Sequence, residues 1–158
     1  MAGETDVLTL APNIIVPDSG IDKFTELALK YNPDIRILIQ ISWAPSDGEM
    51  DQKIFKNEYR DTITLFSLNK WRKTVSDYVE KFRSQADAIN TLYNHKFVFI
   101  VPVGAAVFNL REEVLAGRVP FITKQSQLFK DDGGHGTEPL RQLITYCWFA
   151  SVYHRNPV

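Results

Sequence analysis

Three short apolar runs alternate with longer amphipathic stretches along the chain. The runs are DVLTLAP at 6–12, RILIQISW at 36–43 and KFVFIVPVG at 96–104. Near-continuous apolar runs of this length are typical of strands that are buried on both faces, as in a parallel sheet. Between the first two runs, apolar residues recur at three- and four-residue steps over 21–31, which predicts a helix. The chain therefore begins with the pattern of a β-α-β unit.

The ends of this first helix carry the expected signals. Asp18 or Ser19 is the predicted N-cap, and the Asn32-Pro33 pair is the predicted stop, because the residue before proline avoids the helical conformation. The helical face predicted to be buried comprises Ile21, Phe24, Leu27, Ala28 and Tyr31.

A longer insertion separates the second and third apolar runs. Its polar first part, 44–61, is predicted to be a loop or lid over the carboxyl ends of the strands. Its second part, 65–92, has helical periodicity and predicts one long helix or two nearly collinear helices. After the third run we expect a helix that ends at Gly117 and a last helix from about Thr137 to Tyr153.

Composition restricts the class of protein. A chain of 158 residues with 44% hydrophobic and 23% charged residues predicts a single domain over 1–158, and no repeat or linker divides it. A net charge of -1 provides no general attraction to nucleic acid or to an anionic membrane surface. We therefore expect neither nucleic acid nor membrane as a partner.

Other sequence signals for cofactors and targeting are missing. The single Cys147 excludes an internal disulfide and a cysteine zinc cluster, and Gly-rich dinucleotide or phosphate-binding motifs do not occur. We therefore expect no cofactor and no metal, and a nucleotide-binding domain is disfavoured. The first residues carry no signal peptide pattern, and the compartment is left open.

The segment FKDDGGHGTE at 129–138 is the candidate for chemistry. It combines two aspartates, three glycines and His135 directly before the last helix. In open α/β sheets, ligands bind beyond the carboxyl ends of the strands, to which this loop can return. Asp132 lies three residues before His135, so its carboxylate can orient one imidazole nitrogen while the other acts as a general base. Gly133 and Gly134 can take the positive φ that a tight turn requires.

This segment resembles the last motif block of the SGNH (GDSL-type) hydrolases, an Asp-x-x-His before the C-terminal helix. The resemblance implies a flavodoxin-like three-layer sandwich with a parallel sheet. It also implies ester hydrolysis by a Ser-His-Asp triad in which His135 and Asp132 are base and acid. Asn13, after the first strand, stands where the family has its oxyanion-binding asparagine, although Ala11 and Ile14 depart from the surrounding motif.

The nucleophile is the weakest part of the resemblance. The Gly-Asp-Ser block of the family is absent, and its second strand is absent too, so we expect this chain to be truncated to the last three strands of the family sheet. Ser19 is a candidate nucleophile because it follows Asp18 and precedes a helix, but an N-cap serine has the same pattern. The chain by itself is therefore expected to be a feeble esterase at best.

The expected function is hydrolysis of a small-molecule ester by a serine hydrolase that lacks part of its machinery. The alternative is a non-catalytic remnant or interaction module of the same fold. The loss of flanking strands would place the first strand at an exposed sheet edge, through which the chain could form a homo-oligomer. Asp132 and His135 could also belong to an ordinary surface turn, and Trp43 could line a cleft or serve only in packing.

Overall fold

The sheet is parallel and belongs to the α/β class, as the sequence predicts. The computed structural model describes residues 5–13, 15–44 and 56–157. The strands are β1 (Val7–Leu10), β2 (Arg36–Gln40) and β3 (Val98–Val101), in the order β1-β2-β3. Ile37 of β2 is the register partner of Leu8 on one side and of Val98 on the other. Within the described residues β1 therefore lies at a sheet edge, as expected.

The helices follow the predicted periodicity. They are α1 (Ser19–Tyr31), α2 (Leu65–Leu92), α3 (Val103–Leu115) and α4 (Glu138–Tyr153), with short 3-10 helices at Asn57–Thr62 and Gln125–Leu128. The stretch over 65–92 is one continuous helix rather than two. Among the helices in the described ranges, none is long and apolar enough to cross a membrane.

The chain divides into two compact units. The first comprises Met1–Ile41 and Asp77–Pro102, and the second comprises Ser42–Ser76 and Val103–Val158. The first unit contains the sheet, α1 and the second part of α2. The second unit contains the first part of α2, the two 3-10 helices described above, α3 and α4.

The core of the first unit is built on β2. Ile37, Leu38 and Ile39 are almost completely buried, as the uninterrupted apolar run predicts for a central parallel strand. The end of α2 is tied to β3 through Asn90, whose Oδ1 accepts from the backbone N–H groups of Phe97 and Val98 at 3.0 and 2.9 Å. Its Nδ2 donates to the Val98 carbonyl at 2.9 Å, so one side chain aligns the strand that follows the helix.

Helix α1 begins as predicted, but it buries a different face. Asp18 is the N-cap and accepts from the Gly20 backbone N–H at 2.7 Å, and Asn32 is the C-cap. Ile21 and Thr25 are buried, whereas Phe24, Leu27 and Tyr31 are 54%, 51% and 58% exposed. The prediction that all the apolar residues of α1 share a buried face is therefore wrong. The buried side of α1 is instead the side that carries Ile21 and Thr25.

The second unit packs α3 and the Gln125–Leu128 turn around buried apolar side chains. These are Leu68, Val75, Val103, Val107, Phe108, Val114, Leu128, Phe129 and Leu140. Gly104 has no room for a side chain, since a Cβ there would lie 2.7 Å from the Ser42 carbonyl oxygen. Helix α3 ends where predicted, with Gly117 at a φ of 68°.

The polar stretch predicted as a loop or lid is only partly described. Its end forms the 3-10 helix Asn57–Thr62, and 45–55 lie outside the described residues. Within the second unit, this short helix lies against the Gln125–Leu128 turn. Asp61 joins the two, because its carboxylate accepts from the backbone N–H and the hydroxyl of Ser126 at 2.8 and 2.7 Å.

Candidate functional site

The segment 128–137, which carries His135, is a small hairpin in the second unit, and its tip is the turn 131–134 with His135. Its two arms are joined by hydrogen bonds from the Thr137 N–H to the Leu128 carbonyl at 3.0 Å and from the Lys130 N–H to the His135 carbonyl at 2.6 Å. The tip is a turn in which the Gly134 N–H donates to the Asp131 carbonyl at 3.1 Å. Buried Leu128 and Phe129 anchor the hairpin, so its tip has a defined backbone.

Only one of the two tip glycines adopts the conformation that favours glycine. Gly134 has a φ of 89°, and a Cβ on it would lie 3.1 Å from Nη2 of Arg60 and 3.5 Å from Nε1 of Trp43. Gly133 has no positive φ, and its nearest side-chain contact would be an ordinary 3.4 Å to Asp131. The expectation that both glycines serve the turn in this way is therefore correct for Gly134 alone.

His135 pairs with Asp131 rather than with Asp132. Its Nδ1 lies 2.8 and 3.0 Å from the two carboxylate oxygens of Asp131, and its backbone N–H donates to the same carboxylate at 3.2 Å. Because a carboxylate accepts, the neutral imidazole carries its proton on Nδ1. The His135 side chain is 79% exposed, which leaves Nε2 accessible for proton transfer.

The predicted pairing of Asp132 with His135 is corrected by this geometry. The Asp132 carboxylate accepts from the Asn57 backbone N–H at 2.9 Å and from the Lys56 ammonium at 3.2 Å. Asp131 is the first residue of the turn, so its carboxylate can reach the backbone and ring of the residue four positions later. Asp132 is a corner residue of that turn, and its side chain is directed to another segment. The spacing of the hydrogen-bonded pair is Asp-x-x-x-His.

Three residues outside the hairpin hold its tip. Trp43 donates from Nε1 to the Gly134 carbonyl at 3.0 Å. Arg60, which is fully buried, donates to the carbonyls of Asp131 and Asp132, both at 3.2 Å. Asn57 donates from Nδ2 to the carbonyls of Ser126 and Phe129 at 3.1 and 3.0 Å. Of these three residues, the sequence marks only Trp43 as a candidate, because nothing in the pattern NEYRD indicates that its arginine is buried.

Asn13 and Ser19 belong to the first unit. The Asn13 backbone N–H donates to the Asp18 carboxylate at 2.7 Å, and its carbonyl accepts from the Tyr78 hydroxyl at 2.9 Å. Ser19 is the first residue of α1, directly after the N-cap Asp18. The grouping of these two residues with His135 in one site stays a prediction.

The charges around the hairpin tip favour ionised carboxylates. The pKa of Asp131 is lowered mainly by the hydrogen bond from the backbone N–H of His135 and, to a smaller extent, by the His135 imidazole. The backbone N–H of Asn57 is the main cause that lowers the pKa of Asp132, followed by the Lys56 ammonium. Burial raises the pKa of the Cys147 thiol, which disfavours a thiolate there.

Comparison with protein-family models, with curated proteins and with solved structures finds no match. In the part of the chain that the structure describes, no three His, Cys, Asp or Glu side chains are grouped as a metal site requires. The arrangement that can do chemistry in the second unit is therefore an exposed imidazole oriented by a carboxylate on a braced turn.

Substitution of Gly134 by alanine should destabilise the protein by about 1–2 kcal/mol, since a side chain is disfavoured at positive φ. Gly133→Ala is the matched control, and we expect a change of less than about 0.5 kcal/mol. Urea unfolding of both variants measures the difference. Equal midpoints for the two variants would contradict a left-handed backbone at Gly134.

The carboxyl groups of Asp131 and Asp132 should titrate below the usual value of about 3.9 for aspartate. Because both folded-state pKa values are lowered, the contacts at the tip stabilise the fold above about pH 4 and are lost as pH falls through those lowered values. Carboxyl carbon shifts followed by NMR report both groups. Lys56→Ala should raise the pKa of Asp132 and leave that of Asp131 unchanged. If both groups of the wild type titrated at the usual aspartate value, the described contacts would be refuted.

Proposed function

We propose that this chain is an ester hydrolase of the SGNH type in which His135 is the general base. Asp131, rather than the expected Asp132, is the carboxylate that orients the imidazole. The observation that supports the proposal is the contact of 2.8 Å between Nδ1 of His135, which is largely exposed, and the carboxylate of Asp131. A general base needs one ring nitrogen held by an acceptor and the other accessible to a hydroxyl.

The proposed reaction follows from this tautomer. His135 Nε2 takes the proton of a nucleophilic hydroxyl as that hydroxyl attacks the ester carbonyl. Asp131 then stabilises the imidazolium, which returns the proton to the departing alkoxide and leaves the acyl group on the nucleophile. Water, deprotonated by the same imidazole, then attacks this acyl group, and the returned proton restores the hydroxyl as the carboxylic acid leaves. Asn13 is retained as the proposed oxyanion-binding residue, and Ser19 is retained as the candidate nucleophile at the start of α1. The substrate class is a small-molecule ester, and no cofactor takes part in these steps.

The finer fold assignment is part of the same proposal. We propose a flavodoxin-like sandwich in which the described strands are the last three of the sheet. Parallel pairing of all three strands and the edge position of β1 in the described sheet are the supporting features.

Hydrolysis of p-nitrophenyl acetate by the purified chain tests the chemistry. We expect slow turnover that falls by about 10²-fold or more in His135→Ala and in Asp131→Asn, because general base catalysis contributes on that order. Asp132→Asn is the matched control, since its carboxylate bonds Asn57 and Lys56, and it should keep most of the activity.

The same assay separates the candidate nucleophiles. Turnover that is retained in Ser19→Ala but lost in His135→Ala would mean that the nucleophile is a residue other than Ser19. Loss of turnover in Ser19→Ala as well as in His135→Ala would instead identify Ser19. Rates that are equal in the wild type, His135→Ala and Asp131→Asn would overturn the proposed hydrolase function.

A second candidate function, an interaction module that associates with a second copy of itself, is favoured by the surface of the first unit. Phe24, Leu27 and Tyr31 form one strip along α1, and each is more than half exposed. Contiguous apolar surface of this kind is characteristic of association sites. In the described sheet of the same unit, β1 is the last strand on its side and so offers backbone groups to a further strand.

Multi-angle light scattering tests this association. We expect the wild type to form dimers at micromolar concentration and the double variant Phe24→Ser, Leu27→Ser to be monomeric, because each apolar side chain removed from an interface weakens it. The double variant Lys23→Ser, Glu26→Ser changes exposed polar neighbours and should leave the dimer intact. A monomeric wild type over the whole concentration range would exclude self-association as the function.

A further inference from the structure

Arg60 is a fully buried cation whose guanidinium bonds the tip of the His135 hairpin. Nη1 donates to the Asp131 carbonyl at 3.2 Å and to Oδ1 of Asn57 at 2.8 Å. Nη2 donates to the Asp132 carbonyl at 3.2 Å. The guanidinium carbon lies 4.3 Å from the centre of the Phe129 ring, so the cation also rests on an aromatic residue of the same hairpin.

Asn57, one turn earlier on the same 3-10 helix, continues this set of bonds. Its Nδ2 donates to the carbonyls of Ser126 and Phe129, and its backbone N–H donates to the Asp132 carboxylate. Together, Arg60 and Asn57 hold four carbonyls within residues 126–132, directly before His135. The backbone of the turn is thus constrained from one side by two residues of another segment.

The pair that would do the chemistry lacks such constraints on its own side chains. The side chains of His135 and Asp131 are 79% and 44% exposed, so packing contributes little to their orientation. Their mutual geometry therefore depends on the backbone of the turn from which both project. Burial of a guanidinium is costly unless its donors find acceptors, and here Nη1 and Nη2 donate to two consecutive carbonyls of that turn.

We infer that Arg60 is a positioning residue that, with Asn57, fixes the turn so that Asp131 holds Nδ1 of His135. Arg60 does not face substrate in this role, since it acts through the backbone of Asp131 and Asp132. The planar, forked shape of the guanidinium is the relevant property. A lysine keeps the charge but cannot bond Asn57 and the carbonyls of Asp131 and Asp132 in the same geometry. The catalytic part of this inference rests on the proposed hydrolase function, whereas the positional part does not.

The test is the tautomer of His135, measured by ¹⁵N NMR on the full chain at a pH at which the imidazole is neutral. In the wild type we expect the Nδ1 shift of a protonated nitrogen. In Arg60→Lys we expect that shift to move toward the value of an unprotonated nitrogen, because the Asp131 contact loosens. Arg72→Lys, whose guanidinium bonds Glu112 and the Phe108 carbonyl, is the control and should leave the tautomer unchanged.

A second variant covers the case in which Arg60→Lys does not fold, as judged by circular dichroism. Asn57→Ala retains the Arg60 side chain but removes the side-chain bonds of Asn57 to Ser126, Phe129 and Arg60, and it should move the Nδ1 shift in the same direction. An unchanged His135 tautomer in every folded variant of Arg60 and Asn57 would overturn the inference.

Activity supplies an independent readout. We expect Arg60→Lys to lower kcat by up to about 10²-fold with little change in KM, as misplacement of a catalytic group does. The effect should vanish in an Asp131→Asn background, because both changes act on the same contact. A tautomer shift without hydrolysis in any variant would refute the hydrolase function and uphold the positioning role. Hydrolysis with additive effects would refute the positioning role and uphold the function.

Discussion

The candidate site depends on one buried cation. Arg60 is removed from solvent, lies on the ring of Phe129 and directs its donors at two consecutive carbonyls of the turn that carries Asp131. A buried guanidinium is tolerated only where carbonyls or carboxylates satisfy it, so its position and that of the turn define each other. Gly134 completes the arrangement, because a larger residue would press on the same guanidinium.

This arrangement explains how an exposed pair can have a fixed geometry. The first arm of the hairpin is anchored in the second unit by the buried side chains of Leu128 and Phe129. Hydrogen bonds from Asn57 and Trp43 then hold the backbone of the hairpin. The His135 side chain at the tip is then 79% exposed, although the backbone that carries it is held. A base that must meet a substrate needs this combination of an accessible ring and a rigid backbone.

The carboxylates of the two neighbouring aspartates have different partners. Asp131 accepts from the backbone and ring of His135, whereas Asp132 accepts from the backbone of Asn57 and from Lys56. Both pKa values are lowered, but by different donors. One carboxylate therefore orients the imidazole, and the other ties the hairpin to the segment that supplies Arg60. The carboxylate that contacts the imidazole and the carboxylate that supports the hairpin are therefore neighbours in the sequence.

The sequence by itself determined the α/β class, the three parallel strands, the helix limits at Asp18, Asn32 and Gly117, and the hairpin as the place to look for chemistry. These features follow from local periodicity, capping and glycine, which short-range physics controls. Only the tertiary structure decided that Asp131 rather than Asp132 meets His135, that α1 exposes Phe24 and Leu27, and that Arg60 is buried. Each of these depends on contacts between segments distant in the chain, such as the 71 positions between Arg60 and Asp131, and no local pattern encodes them.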